Sequence, residues 1–209
     1  MSEAKQLTPR QQARQRRIFE TTRDLLAESG YEGLQMRVLA DRAGVSPMTL
    51  YNRYGTKDDL VLLSMEELLA DLADEAQASR KRGLEFVRHN AAIVARQILE
   101  TPRYAKAMAL SLFNSRPGSP ISRALLTNNI AASRQLIGQM QELGELDADI
   151  DTEQLSRGMA IAPWSTIMLW MQEQIDDDAF TDEYIMATVR VLFPAMTTAT
   201  RKRYADRLR

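Results

Sequence analysis

The segment 44–57, Gly-Val-Ser-Pro-Met-Thr-Leu-Tyr-Asn-Arg-Tyr-Gly-Thr-Lys, constrains the fold of this chain more than any other stretch. Ser46 is a good helix N-cap and Pro47 suits the first helical position, so a short helix is predicted to begin there. Gly44 permits the left-handed backbone of a tight turn immediately before it. The segment therefore predicts a turn followed by a short, capped helix.

Three residues around this turn have the spacing of a helix-turn-helix, Ala-x3-Gly-x5-Leu. Ala40 is small where two helices cross closely, Gly44 makes the turn, and Leu50 buries the inner face of the second helix. In such a motif the second helix lies in the major groove of DNA, and its first residues contact base edges. The pattern predicts a DNA-binding function.

Composition favours an all-helical protein without a catalytic centre. Helix formers abound, whereas the chain has 9 Gly, 7 Pro, 1 His and no Cys. The absence of Cys excludes disulfides, thiolate zinc sites and cysteine nucleophiles. There is no Gly-rich phosphate loop and no His-Glu-x-x-His motif, and Asp176–Asp178 is interpreted as a solvated turn. We therefore predict no catalytic residues, no metal and no cofactor.

Periodicity and punctuation predict an all-α chain with an amino-terminal three-helix DNA-binding domain (1–56) and a larger helical ligand-binding and dimerisation domain (57–209). Gly30 is predicted to cap the first helix, Pro163 to kink a long one, and Pro194 to kink or end the last. Residues 1–9 are predicted to form a flexible arm and 116–120 a loop. The expected helices are 9–29, 36–43, 47–53, 56–79, 81–100, 102–114, 121–143, 152–175 and one that starts near 181.

Charge is unevenly distributed although the net charge is only −1. Residues 1–57 carry ten Lys and Arg against six Asp and Glu, and the remainder is acidic. A basic amino-terminal module suits binding to a polyanion, although ordinary sampling could produce the same asymmetry. The chain start has no secretory signal, and the longest apolar run, 159–171, is too short to span a bilayer. We expect a cytoplasmic protein that does not enter membranes.

The outward positions of the second helix of the motif are candidates for base recognition, with ordinary solvated surface as the alternative. Arg53 suits guanine and Met48 a thymine methyl group. Thr49 and Tyr51 carry hydroxyls suited to phosphates. Lys57 stands in the first turn of a helix, where a cation opposes the helix dipole. A phosphate in front of that helix would explain it.

Residues 10–60 resemble the DNA-binding domain of the TetR (tetracycline-repressor-like) family of bacterial transcription regulators. The resemblance rests on Gly30-Tyr31-Glu32-Gly33-Leu34, Leu39-Ala40-x-x-Ala43-Gly44-Val45-Ser46, Thr49-Leu50-Tyr51 and Tyr54-x-x-Lys57-x-x-Leu60, with Ile18 and Leu25-Leu26 before them. It implies phosphate contacts for Thr49, Tyr51 and Lys57 and a base contact for Arg37. The basic residues of the first helix could reach the backbone or minor groove, or simply be solvated. The predicted DNA-binding set is Arg10, Arg14, Arg37, Ser46, Pro47, Met48, Thr49, Tyr51, Asn52, Arg53 and Lys57.

The body of the chain is predicted to form a homodimer through its last two helices. The segment 159–171 is apolar around most of its circumference, so it must be covered on two sides, by its own domain and by a second subunit. A helix central to a monomeric core is the alternative. A dimer would place two DNA-binding domains about 34–36 Å apart on successive turns of the major groove, so a palindromic operator in double-stranded DNA is expected.

The resemblance also implies a small-molecule effector, and the sequence favours an apolar or aromatic one because few charges lie on the inferred inner faces. The expected function is that of a repressor released from its operator by this effector. A DNA-binding architectural factor controlled by a protein partner is the alternative. The candidate ligand-binding residues are Phe86, His89, Ile93, Tyr104, Met108, Phe113, Trp164 and Met168.

Overall fold

The structure is a computed structural model that describes residues 8–113 and 119–204. Within these residues the chain is all-α, as predicted, with a single isolated bridge between Leu146 and Met196. The predicted arm before residue 8 and most of the predicted loop 116–120 lie outside the described residues. The helices are α1 (Pro9–Gly33), α2 (Met36–Ala43), α3 (Pro47–Tyr54), α4 (Lys57–Ala78), α5 (Gly83–Glu100), α6 (Pro102–Phe113), α7 (Pro120–Glu142), α8 (Thr152–Met171), α9 (Asp177–Leu192) and α10 (Thr198–Tyr204).

The chain forms two compact units. The first contains the chain up to Leu68 together with the segment Arg103–Ile121, and the second contains Leu69–Pro102 and the chain from Ser122 onward. Helix α4 begins directly after the predicted boundary at residue 56 and contributes to both units, because the division falls between Leu68 and Leu69. The assignment of DNA binding to 1–56 and of ligand binding to 57–209 stays a prediction. No helix in the described part of the chain is long and apolar enough to cross a membrane.

The core of the first unit is built on one face of α1. Thr8 and Gln11 form a reciprocal capping box at its start, with Pro9 in the first turn. Ile18, Phe19, Leu25 and Leu26 are buried on one face, as the helical spacing predicted. Leu39 and Ala40 of α2 and Leu50 of α3 are also fully buried, so α1 and the two short helices α2 and α3 share one apolar core.

The end of α1 differs from the prediction. Gly30 has the expected positive φ, 68°, but its ψ of −179° makes a break instead of a cap. The chain resumes helical geometry and reaches Gly33, and Leu34 donates its N–H to the Tyr31 carbonyl at 3.3 Å. The predicted end at Ser29 was therefore too early. The break turns the last residues of α1 away from the helix axis and gives Tyr31 its position.

The second unit packs α5 and α8 against α9. Its buried cluster draws apolar residues from five helices, including Leu84, Ile137, Met140, Met159 and Leu192. Helix α8 continues through Pro163 and ends at Met171, earlier than predicted. A turn follows, in which the Gln174 N–H donates to the Leu169 carbonyl at 2.9 Å, and Asp176 accepts the N–H of Ala179 at 2.9 Å to begin α9. Pro194 lies in a short 3-10 turn that ends α9, and α10 follows.

A buried carboxylate ties the start of α5 to the end of α7. Glu145 is only 6% exposed and accepts the Leu84 N–H at 2.7 Å, which caps an otherwise unpaired helix start. Its backbone carbonyl accepts the N–H of Thr197 at 3.1 Å, and Arg203 of α10 lies 3.8 Å from its carboxylate. Sequence reasoning did not identify this junction.

Candidate nucleic-acid interface

The turn between α2 and α3 has the geometry that the sequence predicted. Gly44 adopts φ 66° and ψ 42°, the left-handed region. The Val45 N–H donates to the Ala40 carbonyl at 3.0 Å, and the Gly44 N–H donates to the Asp41 carbonyl at 3.3 Å. These two bonds form a Schellman motif that satisfies the last carbonyls of α2. Ala40 and Leu50 are fully buried, so the scaffold residues of the helix-turn-helix are confirmed.

Replacing Gly44 with alanine should destabilise the first unit by about 1–2 kcal/mol, because the left-handed conformation strains a residue with a Cβ. Space is not the cause, since the nearest atom to the added Cβ is Arg17 Nη2 at 3.5 Å. Asparagine tolerates this conformation better, so Gly44→Asn should cost clearly less. Urea denaturation followed by circular dichroism measures both variants. Equal losses for the two would contradict the backbone explanation.

Helix α3 buries one face and exposes the other. Ser46 caps it by accepting the Thr49 N–H at 3.1 Å, and the two hydroxyls lie 2.8 Å apart. Leu50 and Tyr54 point into the core. The exposed side chains are those predicted to face DNA: Met48 is 66% and Tyr51 52% exposed, and Pro47, Asn52 and Arg53 are exposed with them.

Basic residues of α1 and α2 are also at the surface. Arg10, Arg14 and Arg37 are exposed, and none of them forms an ion pair among the described residues. Arg53 is different, because its guanidinium donates to the Gln15 side chain at 3.0 Å and lies 5.5 Å from the centre of the Tyr54 ring. Base recognition by Arg53 would therefore require it to exchange the Gln15 contact for a base.

Lys57 has intramolecular partners that the sequence did not reveal. Its Nζ donates to the backbone carbonyl of Tyr31 at 3.0 Å and lies 4.1 Å from the centre of the Tyr31 ring. The Tyr31 hydroxyl donates to the carboxylate of Asp58. Burial, and then the bond to Asp58, raise the pKa of Tyr31 well above its ordinary value, so this donor keeps its proton. The end of α1 thus holds the side chain of Lys57, whose ammonium has three donors and so retains two for another acceptor.

The start of α4 is capped as predicted. The Asp59 N–H donates to the Thr56 hydroxyl at 3.2 Å, and the Thr56 N–H donates to the Asp59 carboxylate at 2.9 Å. The Thr56 N–H and, at 2.7 Å, the Thr56 hydroxyl both donate to the Asp59 carboxylate, and these two bonds lower the pKa of Asp59. The capping fixes the first turn of α4, which carries both Lys57 and Asp58.

The eight candidate ligand-binding residues divide between the two units. Tyr104, Met108 and Phe113 belong to the first, and the other five, Phe86, His89, Ile93, Trp164 and Met168, to the second. Phe86, Ile93, Tyr104 and Met108 are buried. The Nδ1 atom of His89 lies 3.2 Å from Lys81 Nζ.

Two of the eight do not lie on inner faces as expected. Phe113 and Met168 are each 49% exposed, because they fall on the outward sides of α6 and α8. Ligand binding by the eight residues stays a prediction.

Comparison with known proteins places the amino-terminal part of the chain in a family. The model of the family described as bacterial regulatory proteins, tetR family, matches residues 18–63. The HTH-type transcriptional regulator UidR of Escherichia coli K12 is 24% identical over 152 residues, which are 68% of this chain and 73% of UidR. The HTH-type transcriptional repressor KstR of Mycobacterium tuberculosis is 38% identical over 55 residues, 26% of this chain and 25% of KstR.

The similarity of fold extends over most of the chain. The crystal structure of a TetR transcription regulator from Haloarcula marismortui has a TM-score of 0.68 and 18% identity, and the match covers 89% of this chain and all of that one. A helix-turn-helix with a capped, exposed second helix, joined in the chain to a larger helical unit, defines a DNA-binding transcription regulator. The matched residues 18–63 contain this motif, and the curated relatives are regulators. Residues 18–63 match the TetR family of bacterial regulatory proteins, and the predicted resemblance is confirmed over this DNA-binding part of the chain.

Proposed function

We propose that this protein is a homodimeric repressor that binds a palindromic operator in double-stranded DNA and is released by a small-molecule effector. The exposed face of α3 carries the proposal. Met48 and Tyr51 are large side chains with more than half of their surface in water, on a helix whose opposite face is fully buried. Insertion of this face into the major groove would cover both.

The proposed contacts divide into two kinds. Thr49, Tyr51 and Lys57 would bind phosphates, which position the protein without reading sequence. Pro47, Met48, Asn52, Arg53 and Arg37 would contact base edges. Arg10 and Arg14, which lie exposed at the start of α1, would add contacts to the backbone or minor groove. Ser46 supports both kinds of contact because it caps α3 and bonds to Thr49.

Lys57→Ala and Tyr51→Phe should each weaken binding to every DNA sequence by roughly tenfold, because each removes a hydrogen bond to a charged phosphate. Lys57→Ala should also make the slope of log affinity against log salt shallower by about one, whereas Tyr51→Phe should leave the slope unchanged because the tyrosine hydroxyl carries no charge. Fluorescence anisotropy with an operator obtained by selection from random duplexes, and with unrelated duplex, measures both effects. If both variants bind DNA with unchanged affinity at physiological salt, the assignment of Lys57 and Tyr51 to phosphate contacts is wrong.

Two further variants make this test specific. Lys202→Ala removes an exposed lysine of α10 and should leave affinity and salt slope unchanged. Arg53→Ala should change which sequences are preferred, because a lost base contact costs about 1–3 kcal/mol at one position only. A uniform loss for Arg53→Ala would instead assign Arg53 to phosphate.

The dimer is supported by the surface of α8. Ile161, Met168 and Leu169 lie on one side of this helix and are 52%, 49% and 41% exposed. On its other side Met159, Ile167 and Trp170 are buried. Helix α8 therefore exposes apolar side chains after its own unit has packed, which favours coverage by a second subunit.

A further inference from the structure

The guanidinium of Arg53 is held between α1 and α3, although Arg53 itself is exposed. Its Nη2 atom donates to the side-chain oxygen of Gln15 at 3.0 Å, and these two residues lie 38 positions apart in the sequence. Its Cζ atom lies 5.5 Å from the centre of the Tyr54 ring. Gln15 is partly buried and Tyr54 is 6% exposed, so both contacts come from residues that are packed in the first unit.

The packing of α1 against α3 places Gln15 beside Arg53. The Tyr54 ring packs against the Phe19 ring of α1, with the two ring centres 5.5 Å apart. Phe19 follows Gln15 by four residues, so the two side chains lie on the same face of α1. Burial raises the pKa of Tyr54, and the charge of Arg53 acts in the opposite direction, which agrees with a guanidinium beside the ring.

A DNA base would have to replace Gln15 as the acceptor for Arg53. Arg53 lies in the last turn of α3, whereas the base edges of a major groove face the first residues of a recognition helix. The side chain has to extend away from α1 to reach them, and the bond to Gln15 is then lost. Guanine compensates for this loss because it offers two acceptors, O6 and N7, to one guanidinium.

We propose that Gln15 is a positioning residue that sets how strongly the protein selects guanine at the operator position contacted by Arg53. The inference rests on the base contact of Arg53 in the proposed function. With guanine, Arg53 exchanges the Gln15 oxygen for O6 and N7, and with another base it keeps Gln15. Removal of the acceptor at position 15 therefore increases selectivity, and a stronger acceptor there decreases it.

The hold of Gln15 on Arg53 is tested first without DNA, by NMR relaxation of the side-chain Nε–H group of Arg53. Leucine at position 15 has a similar size but no acceptor, whereas glutamate adds a charge to the acceptor. The order parameter of this group should fall in Gln15→Leu and rise in Gln15→Glu. If it is the same in both variants and the parent protein, Gln15 does not hold Arg53 and the proposal is wrong.

Selectivity is the ratio of the dissociation constants for two operator duplexes that differ only at the base pair contacted by Arg53. Gln15→Leu should raise this ratio about threefold and Gln15→Glu should lower it about threefold, since a bond to a charged group is worth less at the surface than in the interior. Fluorescence anisotropy measures both constants. A structural defect in α1 would instead weaken binding to both duplexes and leave the ratio unchanged.

Two controls isolate the competition for Arg53. In an Arg53→Ala background, neither Gln15 variant should change the ratio, because the guanidinium for which they compete is absent. Gln12→Glu introduces the same charge at an exposed position of α1, three residues before Gln15. It should affect both duplexes equally and leave the ratio unchanged.

This inference and the repressor proposal fail on different results. If the parent protein selects an operator but the two Gln15 variants keep its ratio, or move it in the same direction, the inference is wrong and the repressor proposal stands. If Arg53→Ala weakens binding to all sequences equally, Arg53 contacts phosphate and the inference is again wrong. If the parent protein selects no DNA sequence, the repressor proposal fails and the role of Gln15 fails with it.

Discussion

Replacing Gly83 with alanine should lower the unfolding free energy of the second unit by about 3–5 kcal/mol. Gly83 has a φ of +56°, which costs a residue with a Cβ about 1–2 kcal/mol. The added Cβ would also lie 2.1 Å from an oxygen of the buried Glu145 carboxylate. Because that carboxylate caps the Leu84 N–H, its displacement breaks a buried, charge-assisted hydrogen bond worth about 1.5–3 kcal/mol.

Urea denaturation followed by tryptophan fluorescence measures this loss in the second unit, because both tryptophans lie in α8. Gly144→Ala is the matched control. Its φ is +68°, but no atom lies within 4 Å of the added Cβ, so it should show the backbone cost alone. In a Glu145→Ala background, Gly83→Ala should cost no more than Gly144→Ala does in the parent protein. Equal losses for Gly83→Ala and Gly144→Ala in the parent protein would show that the carboxylate moves aside freely.

The features that the sequence predicted well are those decided within a few residues. Gly44, Ser46 and Pro47 specify a turn and a helix start through their own backbone preferences and hydrogen bonds. The burial of Leu50 was predicted from its place in the Ala-x3-Gly-x5-Leu spacing, and the structure confirms it. The helix boundaries at α2 and α3 were accordingly predicted to within one residue.

Gly30 shows where such local reasoning becomes insufficient. A glycine with positive φ ends a helix only if the next residues leave helical geometry, and here they do not. The single φ value was predictable, but the continuation depends on the bonds that Tyr31 makes with Lys57 and Asp58, 26 and 27 residues later in the sequence. No periodicity connects these positions.

The sequence did not predict that Glu145 caps α5, nor that a cleft lies between the end of α1 and α6, for the same reason. The bond from Leu84 to Glu145 joins residues 61 apart, and the face of α6 opposes the end of α1 only in the folded unit. The resemblance predicted a phosphate role for Lys57 because that role depends on the residue type at one motif position. It did not predict the intramolecular acceptor. The pocket residues were inferred from apolar type alone, and two of them, Phe113 and Met168, lie largely at the surface.

Introducing a carboxylate at both Ile161 and Met168 should convert the protein to a monomer and reduce its affinity for the full palindromic operator at least a hundredfold. Both side chains are half exposed on the outer side of α8, so glutamate there is solvated in a monomer and the variant should fold. In a two-fold interface each carboxylate would lie against apolar surface or its own symmetry mate, and burial of an unpaired charge is costly. A monomer has only one DNA-binding domain, so it loses the gain in affinity that comes from binding two linked half-sites at once. This gain is a factor of about 10²–10⁴.

Sedimentation at micromolar concentration measures the oligomeric state, and anisotropy with full and half operators measures binding. Affinity for a half operator should be unchanged, because the variant leaves α3 intact. The control is Leu126→Glu, which should remain dimeric. It replaces a leucine of α7 that is 41% exposed. If the parent protein sediments as a monomer at this concentration, it does not bind its operator through the two DNA-binding domains of a dimer. The apolar face of α8 would then favour control by a protein partner. A parent dimer that persists in the Ile161→Glu, Met168→Glu variant would place the interface on another surface of the second unit.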